Sequence, residues 1–512
     1  MPFVYDLWIS TVERIPALSN AAANISREWS WRPSFLIHVY RHPADNTEQV
    51  NRSIESVERQ IYAECRLSNG DPGTAEFDYV IPIRAGDVLS ELALFRIAEA
   101  LQKDRSAAIL YGDQDELSPR GHRQRPWFKP RWNGEMFLAL DYLSGAVAIE
   151  KSLAARTRLK AGMIPSRELD LALLKATDDA GGHIIHVPHI LLHAQPRGDT
   201  GSAERTNAVA EHVGPLGATC STGPFGTSKI SWPLPPTRPT VSIIIPTKDK
   251  VELLRPCVDS VLKMTRYSPF EIIIVDNDSI RPETLAYLDH VGRNAAVRVI
   301  SYDAPYNFSA INNFAARQAA GEFLCLLNND TEVVEPEWLT EMMRYAVRRE
   351  VGAVGAKLLY EDGTIQHAGV VIGIGEAAGH AHRFAPNDQP GHFKQPHVAQ
   401  YVSAVTAACL VVKKEKYEAV GGLDEQDLAV AFNDVDLCLK LQSAGWNNVY
   451  VPHAVLLHHE SKSRGSDFAP DRIEQYRREL ETLQQRWGTK TYQDPLHNPN
   501  LDRYSETYVL SI

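Results

Sequence analysis

The sequence predicts an α/β protein made of two tandem domains on mostly parallel central sheets. Three observations carry that prediction. First, VSIIIPTKDK (241–250), EIIIVDNDS (271–279) and LCLLNNDTEV (324–333) are each an apolar run that stops at a polar, acid-bearing loop. Buried parallel strands read this way, and the carboxyl edge where they stop is where open α/β sheets bind ligands. Second, helical periodicity alternates with these runs. Leu253, Leu254, Cys257, Val258, Val261 and Leu262 form an i, i+3/i+4 stripe, and a second helix is predicted at 309–320, before the strand that leads to Asp330. Such alternation is the βαβ signature. Third, the chain repeats itself. RELDLALLKATDDAGGHIIHVPHILLH (167–193) echoes NDVDLCLKLQSAGWNNVYVPHAVLLHH (433–459), and two strands upstream of each match in the same order.

Length and composition set the limits. A chain of 512 residues is too long for one hydrophobic core, so two or three domains are expected. Apolar content of 44% and charged content of 23% suit a globular protein. The net charge of −11 supplies no global basic field for nucleic acid or an anionic membrane surface. No apolar run approaches the roughly 18 residues that span a bilayer. The opening residues MPFVYDLWIS carry an acid and no basic cluster, so no secretory signal is expected there. Six cysteines without CxxC spacing read as free thiols in a reducing cytoplasm, not as a zinc site.

In chain order, residues 1–195 read as the first copy. PSFLIHVYRH, from Pro33, echoes VSIIIPTKDK, and FDYVIPIRAGD (77–87) echoes EFLCLLNNDTE. Arg84-Ala85-Gly86 stand opposite Asn328-Asn329-Asp330, with Asp87 one place late. Nothing answers IIIVDNDS, because 65–77 is too short to hold it. Glu168 lies opposite Asp434, and His193 opposite His458. This copy is expected to be a retained scaffold without metal or nucleotide sites. Residues 196–240, rich in Pro, Gly, Ser and Thr and ending in WPLPPTRPT, are expected to be an extended spacer with one short helix at 203–213. The second copy follows at 241–470, and a C-terminal helix and tail at 471–512.

The segments SIIIPTKD, IIIVDNDS, YNFSAINNFAARQAAGEFLCLLNNDTEV, GTIQHAGVVIG, VTAACLVVKKEKYEAVGGLDE, FNDVDLCLKLQSAGW and LLHHESKSRG run in order through 240–470. Together they resemble the family 2 glycosyltransferases, inverting enzymes of the GT-A fold. The likeness is greatest to bacterial rhamnosyltransferase-like and O-antigen or capsule assembly enzymes. YGDQDELSPRGHRQRPWFKPRWN, from Tyr111, looks like the first domain of two-domain members. The resemblance therefore implies two GT-A domains, the first without its metal motif.

It also implies roles. Pro246, Thr247, Asp249, Asp276 and Asp278 would hold the base and ribose, whose N–H and O–H donors suit carboxylates. Asn307, Asn312 and Asn329 belong to the same donor set, and Lys462 and Arg464 would meet phosphate. The competing reading of the aspartates is as helix caps. Asp330 and His458 (or His459) would ligate Mn²⁺ or Mg²⁺ beneath the diphosphate. The family's Asp-x-Asp has Asn328 in first place here. Asp434 would be the catalytic base, with Asn433 replacing the family's Glu, and its competing role is N-cap of a helix over 435–444. Thr406, Ala407, Asn433 and Trp446 would face the acceptor, although Trp446 reads equally well as core. The histidine-bearing stretch 379–397 is expected as a loop over the site.

The function expected is inverting transfer of a sugar from dTDP-rhamnose or a UDP-hexose to a glycan or lipid-linked acceptor in surface polysaccharide synthesis. The setting would be cytoplasmic, with peripheral contact to the membrane or an assembly partner. A processive membrane synthase is disfavoured, because Leu483-Gln484-Gln485-Arg486-Trp487 sets Gln-x-x-Arg-Trp out of register. A nucleotidyltransferase would need a Gly-rich loop that PTKDKVELL lacks. The non-enzymatic alternative is a scaffold of an assembly complex.

Overall fold

The computed structural model describes residues 2–42, 45–68, 77–157, 166–196, 202–459 and 472–512. The chain divides into two compact units. One comprises Met1–Ile230, His497–Asp502 and Val509–Ile512; the other comprises Ser231–Leu496 and Arg503–Tyr508.

Unit 1 holds an eight-stranded sheet. Its strands are β1 (Phe35–Tyr40), β2 (Cys65–Leu67), β3 (Tyr79–Arg84), β4 (Val88–Leu89), β5 (Ile109–Leu117), β6 (Arg123–Trp127), β7 (Val147–Glu150) and β8 (Ile184–Ala194). The order is β2-β1-β3-β7-β5-β8-β4, with β6 beside β5. Ile37, Ile81, Leu110 and Leu191 are in its core. Helix α1 (Thr47–Glu58) follows β1 and opens with a capping box between Asn46 and Gln49. Helix α2 (Ser166–Asp179) precedes β8.

The short helix expected at 203–213 forms, and an unexpected strand pair follows it where extended spacer was expected. Within 196–240, Ser202–Val213 is helix α3, and β9 (Thr219–Thr222) pairs with β10 (Ser228–Ser231). The division between units falls at Ile230/Ser231, and the proline-dense residues 232–240 that follow hold no helix or strand. Proline blocked both element types there, but upstream the alanines and valines of SAERTNAVAEHV bury Ala208, Val209 and Val213.

Unit 2 is built on β11 (Val241–Thr247), α4 (Val251–Met264), β12 (Phe270–Asp276), β13 (Val297–Ser301), α5 (Phe308–Gln318), β14 (Phe323–Leu327) and β15 (Thr331–Val333). After them come β16 (Val351–Leu359), β17 (Cys409–Lys413), α6 (Asn433–Ser443), β18 (Asn447–His458) and α7 (Ile473–Trp487). The sheet runs β13-β12-β11-β14-β17-β16-β18-β15. Strands β13, β12, β11 and β14 are parallel, and β17 enters antiparallel between β14 and β16. Every residue of β11 and β14 is buried, as continuous apolar strands in the middle of a covered sheet should be. The predicted stripe of α4 buries Leu254, Cys257, Val258 and Val261. Each such side chain contributes about 1.5–3 kcal/mol on leaving water.

The two sheets share one order. Strands β2, β1, β3, β7, β5, β8 and β4 occupy the places of β12, β11, β14, β17, β16, β18 and β15, with the same parallel and antiparallel senses. Two readings of the repeat change accordingly. The counterpart of β12 exists, as the three-residue β2 pairing Phe35 with Cys65. And Asp87 is not one place late in space. It precedes Val88, which pairs with His193, as Asp330 precedes Thr331, which pairs with His458. One extra residue in the first copy's turn accounts for the offset seen in the linear sequence.

Candidate functional site

A cleft of about 690 Å³ opens along the carboxyl edge of the unit 2 sheet. Pro246, Thr247 and Asp249 reach it from the loop after β11, and Asn328, Asn329 and Asp330 from the turn after β14. Thr406 and Ala407 come from the loop before β17, Asn433 and Asp434 from the start of α6, and His458 from the end of β18. Ten of the residues expected at the site are thus brought together: Pro246, Thr247, Asp249, Asn329, Asp330, Thr406, Ala407, Asn433, Asp434 and His458.

The floor is tied together from beneath. Asn329 donates from Nδ2 to Thr247 Oγ1 at 3.0 Å, linking the two strand-end loops. Cys257 of α4 donates from Sγ to Asn328 O at 3.4 Å and lies 3.7 Å from Thr331 Oγ1, so a buried thiol supports the Asn-Asn-Asp turn. Burial pushes that thiol up to about 12, which keeps it protonated.

Asp330 and His458 are both buried, and His458 Nε2 lies 3.3 Å from Asp330 Oδ1. The antiparallel pairing of β15 with β18 fixes this approach. His458 Nδ1 is buried without a hydrogen-bond partner among the described residues. His459 turns the other way, as neighbours in a strand must. Its Nδ1 meets Glu361 Oε1 at 2.5 Å, and its Nε2 lies 3.6 Å from Glu332 Oε2. Of the two histidines, His458 is the one at the cleft. A hard or borderline divalent cation fits a carboxylate and an imidazole so placed. Among the described residues no group of three or more His, Cys, Asp or Glu is set to hold a metal, so further ligands would come from elsewhere.

Asp434 also lines the cleft. Its Oδ2 accepts from Ala407 N at 3.0 Å and its Oδ1 from Val435 N at 2.8 Å. Burial raises its carboxyl above the ordinary value, against the lowering effect of those two N–H groups. It is not the N-cap. Helix α6 begins at Asn433, two residues earlier than expected, and Phe432 is its N-cap residue, with no side-chain cap and φ of 59°. A left-handed aromatic residue is a costly conformation, and it sits immediately before the two polar residues of the cleft wall.

Other expected residues have structural duties. Asp249 is itself left-handed at φ 53°, and its Oδ1 accepts from Ile280 N and Arg281 N at 3.0 and 2.9 Å, so it clasps the second loop to the first. Asp276 accepts from Ser279 N at 3.2 Å and Asp278 is exposed; neither lines the cleft. Asn307 caps α5 through Ala310 N at 2.8 Å, and Asn312 is buried on that helix, its Nδ2 donating to Phe308 O at 2.8 Å. Both lie off the cleft because α5 uses them to start and to pack. Trp446 packs against the core cluster under Lys416 Nζ, 5.4 Å from the ring centroid. The expected loop 379–397 contributes no cleft residue; His397 bonds Gln389 O at 2.7 Å instead. Lys462 and Arg464 lie outside the described residues.

Sequence reading missed the cations and aromatics of the lining: Lys248, Lys250, Arg281 and Arg472, with Tyr306, Phe308 and Phe432. Lys248 lies within PTKD and Lys250 just after it, and Tyr306, Phe308 and Phe432 lie in segments that carry the family resemblance; Arg281 and Arg472 had no such signal.

Comparison with known proteins gives one family and several relatives. Residues 242–403 match the model described as Glycosyl transferase family 2. The uncharacterized protein y4gI of Sinorhizobium fredii is 39% identical over 465 residues, 87% of this chain and 51% of that one. The O-antigen biosynthesis protein RfbC of Myxococcus xanthus is 35% identical over 94% of this chain and 39% of its own length. An N-acetylglucosaminyl-diphospho-decaprenol L-rhamnosyltransferase of Mycobacterium tuberculosis is 42% identical over 66 residues, 13% of this chain and 21% of that one. The chain spans about half or less of the length of these relatives.

Proposed function

We propose that this chain, which carries a glycosyl transferase family 2 domain at 242–403, transfers a sugar with inversion from a nucleotide-diphosphate donor to a glycan or lipid-linked acceptor. The observation that supports this best is the meeting of two chemistries in the lining of one cleft: the Asp330–His458 pair and the carboxylate of Asp434. The relatives named for O-antigen biosynthesis and for rhamnosyl transfer favour surface polysaccharide as the product and rhamnose as the sugar; dTDP-rhamnose is the first donor to test, with UDP-hexoses next. Among the described residues no helix is long and apolar enough to cross a membrane.

Asp434 takes the proton of the acceptor hydroxyl as that oxygen attacks the anomeric carbon from the face opposite the nucleotide. One in-line displacement inverts the configuration. The raised carboxyl of Asp434 suits it to hold that proton once taken. Thr247, Asn329 and the loop clasped by Asp249 seat the nucleoside, and Lys248, Lys250, Arg281 and Arg472 supply positive charge around the diphosphate. Asp330 and His458 would hold Mn²⁺ or Mg²⁺, which neutralises the departing diphosphate and removes the need for a general acid.

Calorimetric titration of dTDP, UDP and GDP, with and without Mn²⁺, into wild type and Asp330→Ala tests the reading. Metal-dependent binding of one nucleotide, lost in the variant, is the expected result. Binding of none of them would favour the scaffold alternative.

A further inference from the structure

Helix α7 falls outside the residues matched by the family model, and at sequence level it reads as a separate tail. In the structure it runs along the segment that carries Asp434 and grips it at three points. Near its start, Tyr476 packs on Phe432 with ring centroids 5.3 Å apart. In its middle, the buried Glu479 accepts from Ala431 N. At its end, Arg486 and Trp487 close on Asp436, which is completely buried two residues after Asp434.

This last grip is the most developed. Asp436 Oδ1 accepts from Arg486 Nη1 and from Trp487 Nε1, both at 2.9 Å, and Lys440 Nζ lies 3.0 Å from Oδ2. The other arm of the same guanidinium, Nη2, donates to Asp424 Oδ2 at 2.8 Å and lies 3.5 Å from Asp427 Oδ2. Asp424 belongs to the Gly-Gly-Leu-Asp-Glu loop that Asn313 of α5 anchors through Leu423. One planar fork therefore joins α7, the first turn of α6 and that loop, which an ammonium ion cannot do with one geometry. Nothing in the proposed reaction uses Asp436 or Arg486, yet a completely buried carboxylate is kept there, its Oδ1 taking two hydrogen bonds and its Oδ2 facing the Lys440 ammonium without a hydrogen bond among the described residues. A hydrophobic contact of the same size would hold two helices together as well. What a directional ion pair with one fully buried partner, Asp436, adds is a fixed register between them.

We propose that Asp436 and Arg486 are a positioning pair through which α7 sets the aim of Asp434. The proposal rests on the reading of Asp434 as base. Misplacing a reacting group by an ångström costs about a hundredfold in rate, so loss of register should fall on turnover and not on donor binding.

The test uses the full chain with Arg486→Gln, Arg486→Lys, Asp436→Asn and the double variant Asp436→Asn/Arg486→Gln, with nucleotide affinity measured on the same preparations as a check of folding. Expected is a fall in kcat of about tenfold to a hundredfold in Arg486→Gln, with donor KM and nucleotide affinity within about twofold of wild type. Arg486→Lys should recover part of the loss, and the double variant should be no slower than the slower single variant, because the two act as one. Unchanged kcat in Arg486→Gln with a lowered thermal midpoint would make the pair merely structural and overturn the proposal. So would losses that multiply in the double variant, or nucleotide affinity falling in step with kcat. If instead Asp434→Asn keeps full transfer, it is the base reading that fails, whatever the Arg486 variants do.

Discussion

The histidine at the end of the long last strand has different partners in the two units. In unit 2, His458 faces Asp330 at 3.3 Å. In unit 1, His193 occupies the same place in the sheet, and Asp87 the place of Asp330. There, however, His193 Nδ1 is bound to Asp115 Oδ1 at 2.6 Å, while Asp115 Oδ2 accepts from Tyr5 and Arg123 at 2.5 and 2.6 Å. Asp87 accepts from Gln195 N at 2.9 Å. Strand β5 brings that extra carboxylate, whereas β16 ends in Leu358 and Leu359 opposite Leu456 and Leu457. The same two residue types thus stand at matching places in the two sheets, but in unit 1 each is hydrogen-bonded to a different group, His193 to Asp115 and Asp87 to Gln195 N.

The comparison can be broken at four points. The largest effect is expected from Asp330→Ala, which should remove metal-dependent nucleotide binding and transfer together. Asp87→Ala should leave transfer per folded molecule within about twofold, since that carboxylate is already hydrogen-bonded to backbone. Next, Asp434→Asn should lower kcat about 10²- to 10⁴-fold with nucleotide affinity intact. Glu168→Gln, at the exposed matching position of α2, should leave it unchanged; lost transfer in a folded Glu168 variant would overturn the idea that unit 1 does no chemistry.

The third contrast exchanges stability for activity. His193→Ala leaves a buried carboxylate oxygen without its partner and should lower unfolding free energy by about 1–3 kcal/mol by denaturant titration. His458→Ala should lower transfer instead, with a smaller change in stability. The smallest effects are in pH. Burial alone would raise Asp115, but the hydrogen bond from His193 and the charge of Arg123 bring it below the ordinary carboxylate range. A carboxyl held low in the folded chain favours folding above the pH at which the unfolded chain's carboxyl ionises, and that contribution disappears as pH falls through the lowered value. Asp115→Asn should flatten this acid dependence. Asp434 is shifted the other way, so the acid limb of kcat/KM should lie above the ordinary carboxylate pKa of about 3.9.

Strand ends, the α4 stripe and the meeting of Asp330, His458 and Asp434 were legible in the sequence, because continuous apolar runs and abrupt polar stops are local signals. What failed was non-local or depended on side-chain direction. Asn307 and Asn312 read as ligands, but α5 needs an N-cap and a buried amide. Trp446 read equally well as a stacking face or as core, and it follows a helix-ending Gly445 at φ 91° and packs on the core. The offset of Asp87 was a counting error that only strand pairing corrects. Arg472 and Phe432 at the cleft, and Arg486 behind it, come from segments whose meeting no spacing encodes.

Cys257, beneath the Asn-Asn-Asp turn, has one more consequence. It is 1% exposed, and a thiol held near pKa 12 is inert to alkylation while the fold is closed. A thiol reagent can reach it only when the turn lifts from α4. Its modification rate is therefore a clock for the opening of the site floor, readable without any substrate.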